Sequence, residues 1–223
     1  WSTTTITART SPSVTTRSAH FDRWARRFLA THPRATVLHM GSGLDGRYFR
    51  FGPGPDVEWY DIDYPDVAEL RRTLYPSAEH CHVVAAAVTD PGWLDDIPTD
   101  RPVFAIAEGL TMYLTERDGL ALLGRIVDRF PSGEVQFDAF NRLGIRTQWL
   151  NAVVRRSGAT LYWGIDGPDE ILRAVPELRL LAWEPPFEDE TFARLSLPYR
   201  VMARVLSVVP VLRYMSQYHR YSF

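Results

Sequence analysis

The chain has 223 residues, 45% of them hydrophobic, and a formal net charge of −2; that length and apolar content suit one sizeable core with a small added lobe. Its 25 basic and 27 acidic residues nearly cancel without a long like-charged run, which argues against nucleic acid, and no apolar run approaches the ~20 residues of a bilayer span. Every basic residue is arginine; without a lysine amine, Schiff-base and pyridoxal-phosphate chemistry, the Walker-type phosphate loop and the kinase strand lysine are all excluded.

Residues 1–16 are rich in serine and threonine, aperiodic, and read as an irregular arm without the charged-then-apolar layout of a signal peptide, so a cytoplasmic location is the default. From Ser18 to Thr31, Phe21, Trp24, Ala25 and Phe28 fall on one face at helical spacing, before His32-Pro33 stops the helix. Strand-like runs follow at 36–40, 57–61, 82–86, 103–107 and 134–140. Helical segments lie between them at Asp66–Leu74, Gly92–Asp96 and 115–130, the last with Thr115 as its N-cap candidate. Apolar strands alternating with helices predict a doubly wound α/β fold with a mostly parallel sheet covered on both faces.

After residue 145 the pattern loosens into a strand at 178–184, an amphipathic stretch from Pro198 to Met215 interrupted by Pro210, and "HRYSF", a candidate last edge strand. Residues 17–223 therefore read as one domain, with 143–177 and 185–217 as candidate substrate-side additions. The lone cysteine, Cys81, rules out an intrachain disulfide. His80 and His82 flank it without an evident third ligand in sequence, so they read as strand entry and no metal is expected.

The stretch "TVLHMGSGLDGR" fits the dinucleotide pattern G-x-G-x-x-G through Gly41, Gly43 and Gly46. Two features oppose that match. Only about a dozen residues separate Leu44 from Val57, and Gly52-Pro53-Gly54-Pro55 takes four of them, leaving roughly two helical turns to cradle a pyrophosphate. Asp45, read as lying in the first turn of that helix, would repel the same phosphates. Ligands of doubly wound sheets sit beyond the carboxyl ends of the strands, and here those ends carry Asp61, Asp63 and Glu108. Acids there suit a ligand with hydroxyls and positive charge, such as S-adenosylmethionine with its sulfonium, ammonium and ribose diol.

Four motifs, "VLHMGSGLDGRYFR", "WYDIDYP", "AAAVTDPGWL" and "AEGLTMYL", with "TRSAHFDRWARRFL" upstream, together resemble the leucine carboxyl methyltransferase family. The likeness runs over roughly residues 14–142 and points to the bacterial branch, typified by a tetracenomycin polyketide O-methyltransferase. It implies a seven-stranded sheet of the S-adenosylmethionine-dependent methyltransferase type with an antiparallel C-terminal strand. By the same resemblance Arg17 would pair with the methionine carboxylate of the cofactor. Gly41, Ser42 and Gly43 would face its methionyl and ribose portion, and Asp63 the ribose hydroxyls. Ala87 and Val88 correspond to the adenine pair, and Glu108 would lie near the amino group and sulfonium. The chain departs from the family at Ala87, where a polar side chain is usual, and at Gly46 within "LDGR". Sixteen residues precede Arg17 where members usually carry more, so a trimmed or reduced front is expected.

Methyl transfer is an in-line displacement, so the protein's main task is to align acceptor oxygen and methyl carbon. A carboxylate acceptor, with a pKa near ~4, needs no base; a phenol, near ~10, needs one, and His20, His39 or a carboxylate are the candidates. Tyr113 and Arg142 are the candidate substrate-side residues, weighed against helix packing for Tyr113 and a surface ion pair for Arg142. Tyr162 and Trp163 stand evenly between lid and core. The expected function is an S-adenosylmethionine-dependent O-methyltransferase acting on a small natural-product-like acceptor, with no nucleic-acid or membrane partner. An NAD-type oxidoreductase and a catalytically idle methyltransferase-fold binding subunit are the alternatives.

Overall fold

A computed structural model describes residues 11–151, 154, 155, 158–186, 197, 201, 204 and 207–223. Helix α1 (Ser11–Thr31) leads into strand β1 (Ala35–Met40), the short helix α2 (Arg47–Phe51), strand β2 (Val57–Asp63) and helix α3 (Pro65–Leu74). Strand β3 (Cys81–Ala85) and a 3-10 turn at Pro91–Leu94 precede strand β4 (Val103–Ala107), and a second 3-10 turn at Thr111–Tyr113 precedes helix α4 (Glu116–Arg129). Strand β5 (Gly133–Phe140), helix α5 (Arg142–Arg146), a 3-10 turn at Gln148–Leu150, helix α6 (Pro168–Ala174), strand β6 (Arg179–Glu184), helix α7 (Pro210–Arg213) and strand β7 (Ser216–Ser222) follow.

The seven strands form one sheet in the order β3-β2-β1-β4-β5-β7-β6. The first five run parallel, and β7 is antiparallel to both of its neighbours. The reversal of strand order at β1 and β4 is the switch point where ligands of such sheets collect. All six residues of β1 are buried, as a central parallel strand requires. Its alternation splits the interior: Val37 faces a layer with Phe21, Trp24, Phe28, Trp59 and Phe104, while Leu38 and Met40 join the larger core with Ile62, Leu122, Ile126 and Phe137. Each such buried aromatic or leucine contributes about 1.5–3 kcal/mol relative to exposure. In α4 Gly119 is fixed by that packing, since a Cβ there would lie 2.0 Å from the Trp163 ring.

Three expectations are corrected here. Residues 11–16 belong to helix α1 and not to an irregular arm. Residues 1–10 lie outside the described residues. Helix α2 starts at Arg47 after Gly46, so Asp45 is not in its first turn; it pairs with Arg50 at 2.9 Å and lies 3.5 Å from Arg47. The terminal "HRYSF" is not an edge: β7 sits between β5 and β6, with Gln217, Tyr218, His219 and Tyr221 buried. Pro210 begins helix α7 after a turn at 208–209 that follows helical Ser207, so the 198–215 stretch is interrupted there as expected; most of 185–206 lies outside the described residues.

Candidate active site

The first strand ends in a turn only glycine adopts without strain: Gly41 and Gly43 have φ of 63° and 52°. The amides of Gly41 and Ser42 donate to the Ile62 carbonyl at 2.9 and 3.2 Å, and a Cβ on Gly41 would meet Leu110 at 3.2 Å. The loop after β1 therefore nests between the ends of β2 and β4. Helix α3 grips it from below, Arg71 donating to the carbonyls of Gly43 (3.0 Å) and Asp45 (2.8 Å) and the Tyr75 hydroxyl to that of Leu44 (2.7 Å). Among the described residues the Ser42 hydroxyl is buried without a hydrogen-bond partner, and the outward side of Gly43 is open, with nothing within 4 Å of a Cβ position.

The two aspartates of "YDIDYP" have separate fates. Asp61 is fully buried and accepts from His39 Nδ1 (2.8 Å), Trp59 Nε1 (3.0 Å) and Arg71 Nη2 (2.5 Å). Burial raises its pKa, but the hydrogen bonds from His39 and Trp59 and the Arg71 charge outweigh that and hold it below the usual carboxylate range. Asp63 stands at the strand's end, its carboxylate accepting from the backbone amides of Gly43 (2.7 Å) and Tyr64 (2.8 Å), so the acid at the mouth is Asp63. Beside it, the Ala86 amide donates to the Asp63 carbonyl. The half-buried Ala87 follows, then the buried Val88, whose carbonyl takes Trp93 Nε1 and Arg125 Nη2.

Across the ends of β4 and β5 runs a chain of paired charges. Glu108 accepts Arg17 Nε at 3.0 Å on one oxygen and Arg47 Nη2 on the other. Arg47, 0% exposed, also donates to Asp22 Oδ1 at 2.8 Å and contacts His39 Nε2 at 3.3 Å. A guanidinium can only donate, so His39 accepts on Nε2 and carries its hydrogen on Nδ1, toward Asp61. Arg17 Nη1 donates to Asp138 Oδ2 at 2.9 Å, and Asp138 Oδ1 accepts the Gly109 amide at 2.6 Å. Burial pushes the Asp138 pKa up against the pull of Arg17 and Gly109. Burial opposes the charge on Arg17, yet Asp138 and Glu108 hold its pKa above the ordinary arginine value.

Sequence reading missed Asp138 and the structural role of Arg47. The signal for Asp138 was present, since "EVQFDAF" sets a carboxylate in an apolar strand, the same anomaly that singled out Glu108. Arg17, Asp138 and Gly109 form one wall of a cavity of about 350 Å³, whose other walls include Tyr113, Met112 and Phe140. Tyr113 thus shares a cavity with Arg17, and burial raises its phenol pKa. Arg142 does not reach that cavity: its guanidinium is held on the surface by Asp166 (2.7 Å) and Glu170 (2.8 and 2.6 Å). Trp163 is core and Tyr162 is exposed, so neither side of the even choice holds for both. His80 and His82 flank Glu58, at 3.0 and 2.6 Å from its two oxygens, an acidic neighbour that sequence spacing did not reveal.

The family model described as leucine carboxyl methyltransferase matches residues 2–127. The chain belongs to the leucine carboxyl methyltransferase family. It is 40% identical over 218 residues to the tetracenomycin polyketide synthesis O-methyltransferase TcmP of Streptomyces glaucescens, covering 94% of this chain and 78% of that one. It is 34% identical over 180 residues to the S-adenosyl-L-methionine-dependent methyltransferase dpfgK of Gibberella zeae, covering 74% and 60% respectively. Among solved structures the plantazolicin methyltransferase BamL, in complex with a triazolic desmethylPZN analog and SAH, shares the fold with a TM-score of 0.60 at 11% identity over 96% of this chain and 86% of that one. A DUF574 family protein from Streptomyces avermitilis does so at 0.64 and 13% identity, over 96% and 82%. This family member is an S-adenosylmethionine-dependent O-methyltransferase, and the NAD-type and idle-subunit alternatives are set aside. No helix among the described residues is long and apolar enough to cross a membrane.

Proposed function

We propose that this methyltransferase acts on the carboxylate of a small, polyketide-like acceptor held in the cavity beside Arg17. The residues at the strand ends fit the cofactor: a Ser42 hydroxyl without a partner and an open side at Gly43 among the described residues, and a backbone-anchored carboxylate at Asp63. In this reading Asp63 takes the ribose hydroxyls, the Gly41-Ser42-Gly43 turn lies along the ribose and methionyl portion, and Ala87 and Val88 border adenine. Arg17 takes the methionine carboxylate and Glu108 the ammonium. When bound, the cofactor supplies a methyl carbon activated by its sulfonium; the protein's part is to fix that carbon against the acceptor and exclude water.

The lack, among the described residues, of an available histidine base supports the choice of a carboxylate acceptor. Both ring nitrogens of His39 are engaged, by Asp61 and by Arg47, and His20 is buried between the rings of Trp24 and Tyr218. An acceptor already ionised at neutral pH needs neither. Tyr113 would place its hydroxyl beside the acceptor, while Val14, Asn151, Val154 and Pro186 wall the cavity, which supports 143–177 and the start of 185–217 as substrate-side additions. The name of the Streptomyces glaucescens relative supports a polyketide-like acceptor. The test is thermal unfolding with S-adenosylmethionine, S-adenosylhomocysteine or NAD, then methyl transfer to a panel of aromatic carboxylates and phenols. Stabilisation by the first two ligands alone and turnover of carboxylates is expected; turnover of phenols alone would refute the acceptor assignment.

A further inference from the structure

The guanidinium of Arg17 is held in an uncommon way. Glu108 takes Nε and Asp138 takes Nη1, from two different strands, while Nη2 has no partner among the described residues. Nη2 lies over Gly109, where a Cβ would come within 3.0 Å of it. Gly109 itself has φ of 67°, and its amide is fixed by the other oxygen of Asp138. One carboxylate, 2% exposed, therefore sets both the guanidinium and the backbone beneath it.

We infer that Asp138 is a positioning residue of the cofactor site: it limits Arg17 to a single contact with Glu108, through Nε, so that Nη2 is left to meet the ligand's carboxylate and Glu108 Oε1 keeps a lone pair for its ammonium. This rests on the cofactor reading above. The physical reason is the preference of arginine and carboxylate for a bidentate fork. With Nη1 pinned to Asp138, Arg17 touches Glu108 through Nε alone. Without that anchor the guanidinium turns and puts Nη2 beside Nε on Glu108, which closes the cation and the acid on each other. A ligand carrying both ammonium and carboxylate then loses two contacts, whereas one lacking that end loses none.

The experiment is calorimetric titration of the full chain and its Asp138→Asn variant with S-adenosylhomocysteine and with 5′-methylthioadenosine, which has the nucleoside and sulfur but no amino-acid end. The variant is expected to bind S-adenosylhomocysteine at least 10-fold more weakly and 5′-methylthioadenosine within twofold of the parent. In an Arg17→Gln background, Asp138→Asn is expected to add no more than twofold, because its action runs through that arginine. Unchanged S-adenosylhomocysteine affinity overturns the inference, as does a parallel loss for both ligands, which would mark Asp138 as structural. Should Asp138→Asn alone not fold, the double variant is compared with Arg17→Gln: equal affinities support the inference, and a gap above threefold, or a double variant that does not fold, overturns it. A parent chain that binds no S-adenosylhomocysteine refutes the cofactor reading itself; binding by the parent with an unaltered variant refutes the role of Asp138 alone.

Discussion

Arg17 and Arg142 each pair with two acids near the carboxyl end of β5, yet the two regions treat charge differently. Around Arg17 the acids come from the ends of β4 and β5 with side chains 11% and 3% exposed, one nitrogen of the cation has no partner among the described residues, and Arg17 lines a cavity. Around Arg142 the cation is 46% exposed and both terminal nitrogens are occupied by Asp166 and Glu170. The first arrangement holds charge in a poorly solvated place and leaves it incomplete, which favours an ionic ligand. The second is a solvated surface network of small net value.

The largest expected effect is that of Arg17→Gln, which leaves the buried Asp138 without its counter-charge and Glu108 with Arg47 alone, and removes the cation proposed to meet the cofactor; kcat/KM for methyl transfer should fall about 100-fold, roughly 3 kcal/mol. Steady-state kinetics check this, and near-parental turnover would erase the distinction between the two arginines. Glu108→Gln comes next: S-adenosylhomocysteine affinity in calorimetry should weaken by about 1–3 kcal/mol through loss of a charge-assisted contact. An unchanged affinity would remove Glu108 from the site.

The antiparallel half of the sheet offers a contrast in pH response. His219 is buried in β7, stacked on Phe137, opposite Trp183 of β6 and bonded through Nδ1 to the Tyr221 hydroxyl. Burial pushes its pKa down from 6.5 to about 3. Between those values the unfolded chain binds a proton that the folded chain does not, so this residue's stability contribution is complete above about pH 6.5 and is lost as pH falls. The slope approaches about 1.4 kcal/mol per pH unit. Urea unfolding at pH 7 and pH 5 should show the loss, and His219→Phe should flatten it relative to the parent. The smallest effect belongs to Arg142→Ala, expected to change stability by less than about 1 kcal/mol and turnover by less than about twofold. A large loss of activity would return Arg142 to the acceptor site.

The order of elements was legible because hydrophobic period and punctuation are local: strands at 36–40 and 103–107, the helix over 115–130 and its Thr115 cap all appear, the Thr115 hydroxyl accepting the Asp118 amide. The glycine turn and Glu108 were legible as well, one through its spacing and the other as an acid ending an apolar run. The strand order that buries β7 was not, since pairing between residues 133–140 and 216–222 leaves no local trace. Nor was the use of each charge. Sequence could set Asp61, Asp63, Glu108 and Arg17 near one end of a sheet, but only packing makes Asp61 a buried anchor for His39 and Arg71 and leaves Asp63 at the mouth. It likewise joins Arg17 to Asp138 across 121 positions of chain. Local side-chain chemistry thus determined which elements and which kinds of group this protein has. Burial and partner geometry, which depend on residues distant in sequence, decided which charges are neutralised inside and which are left to meet a ligand.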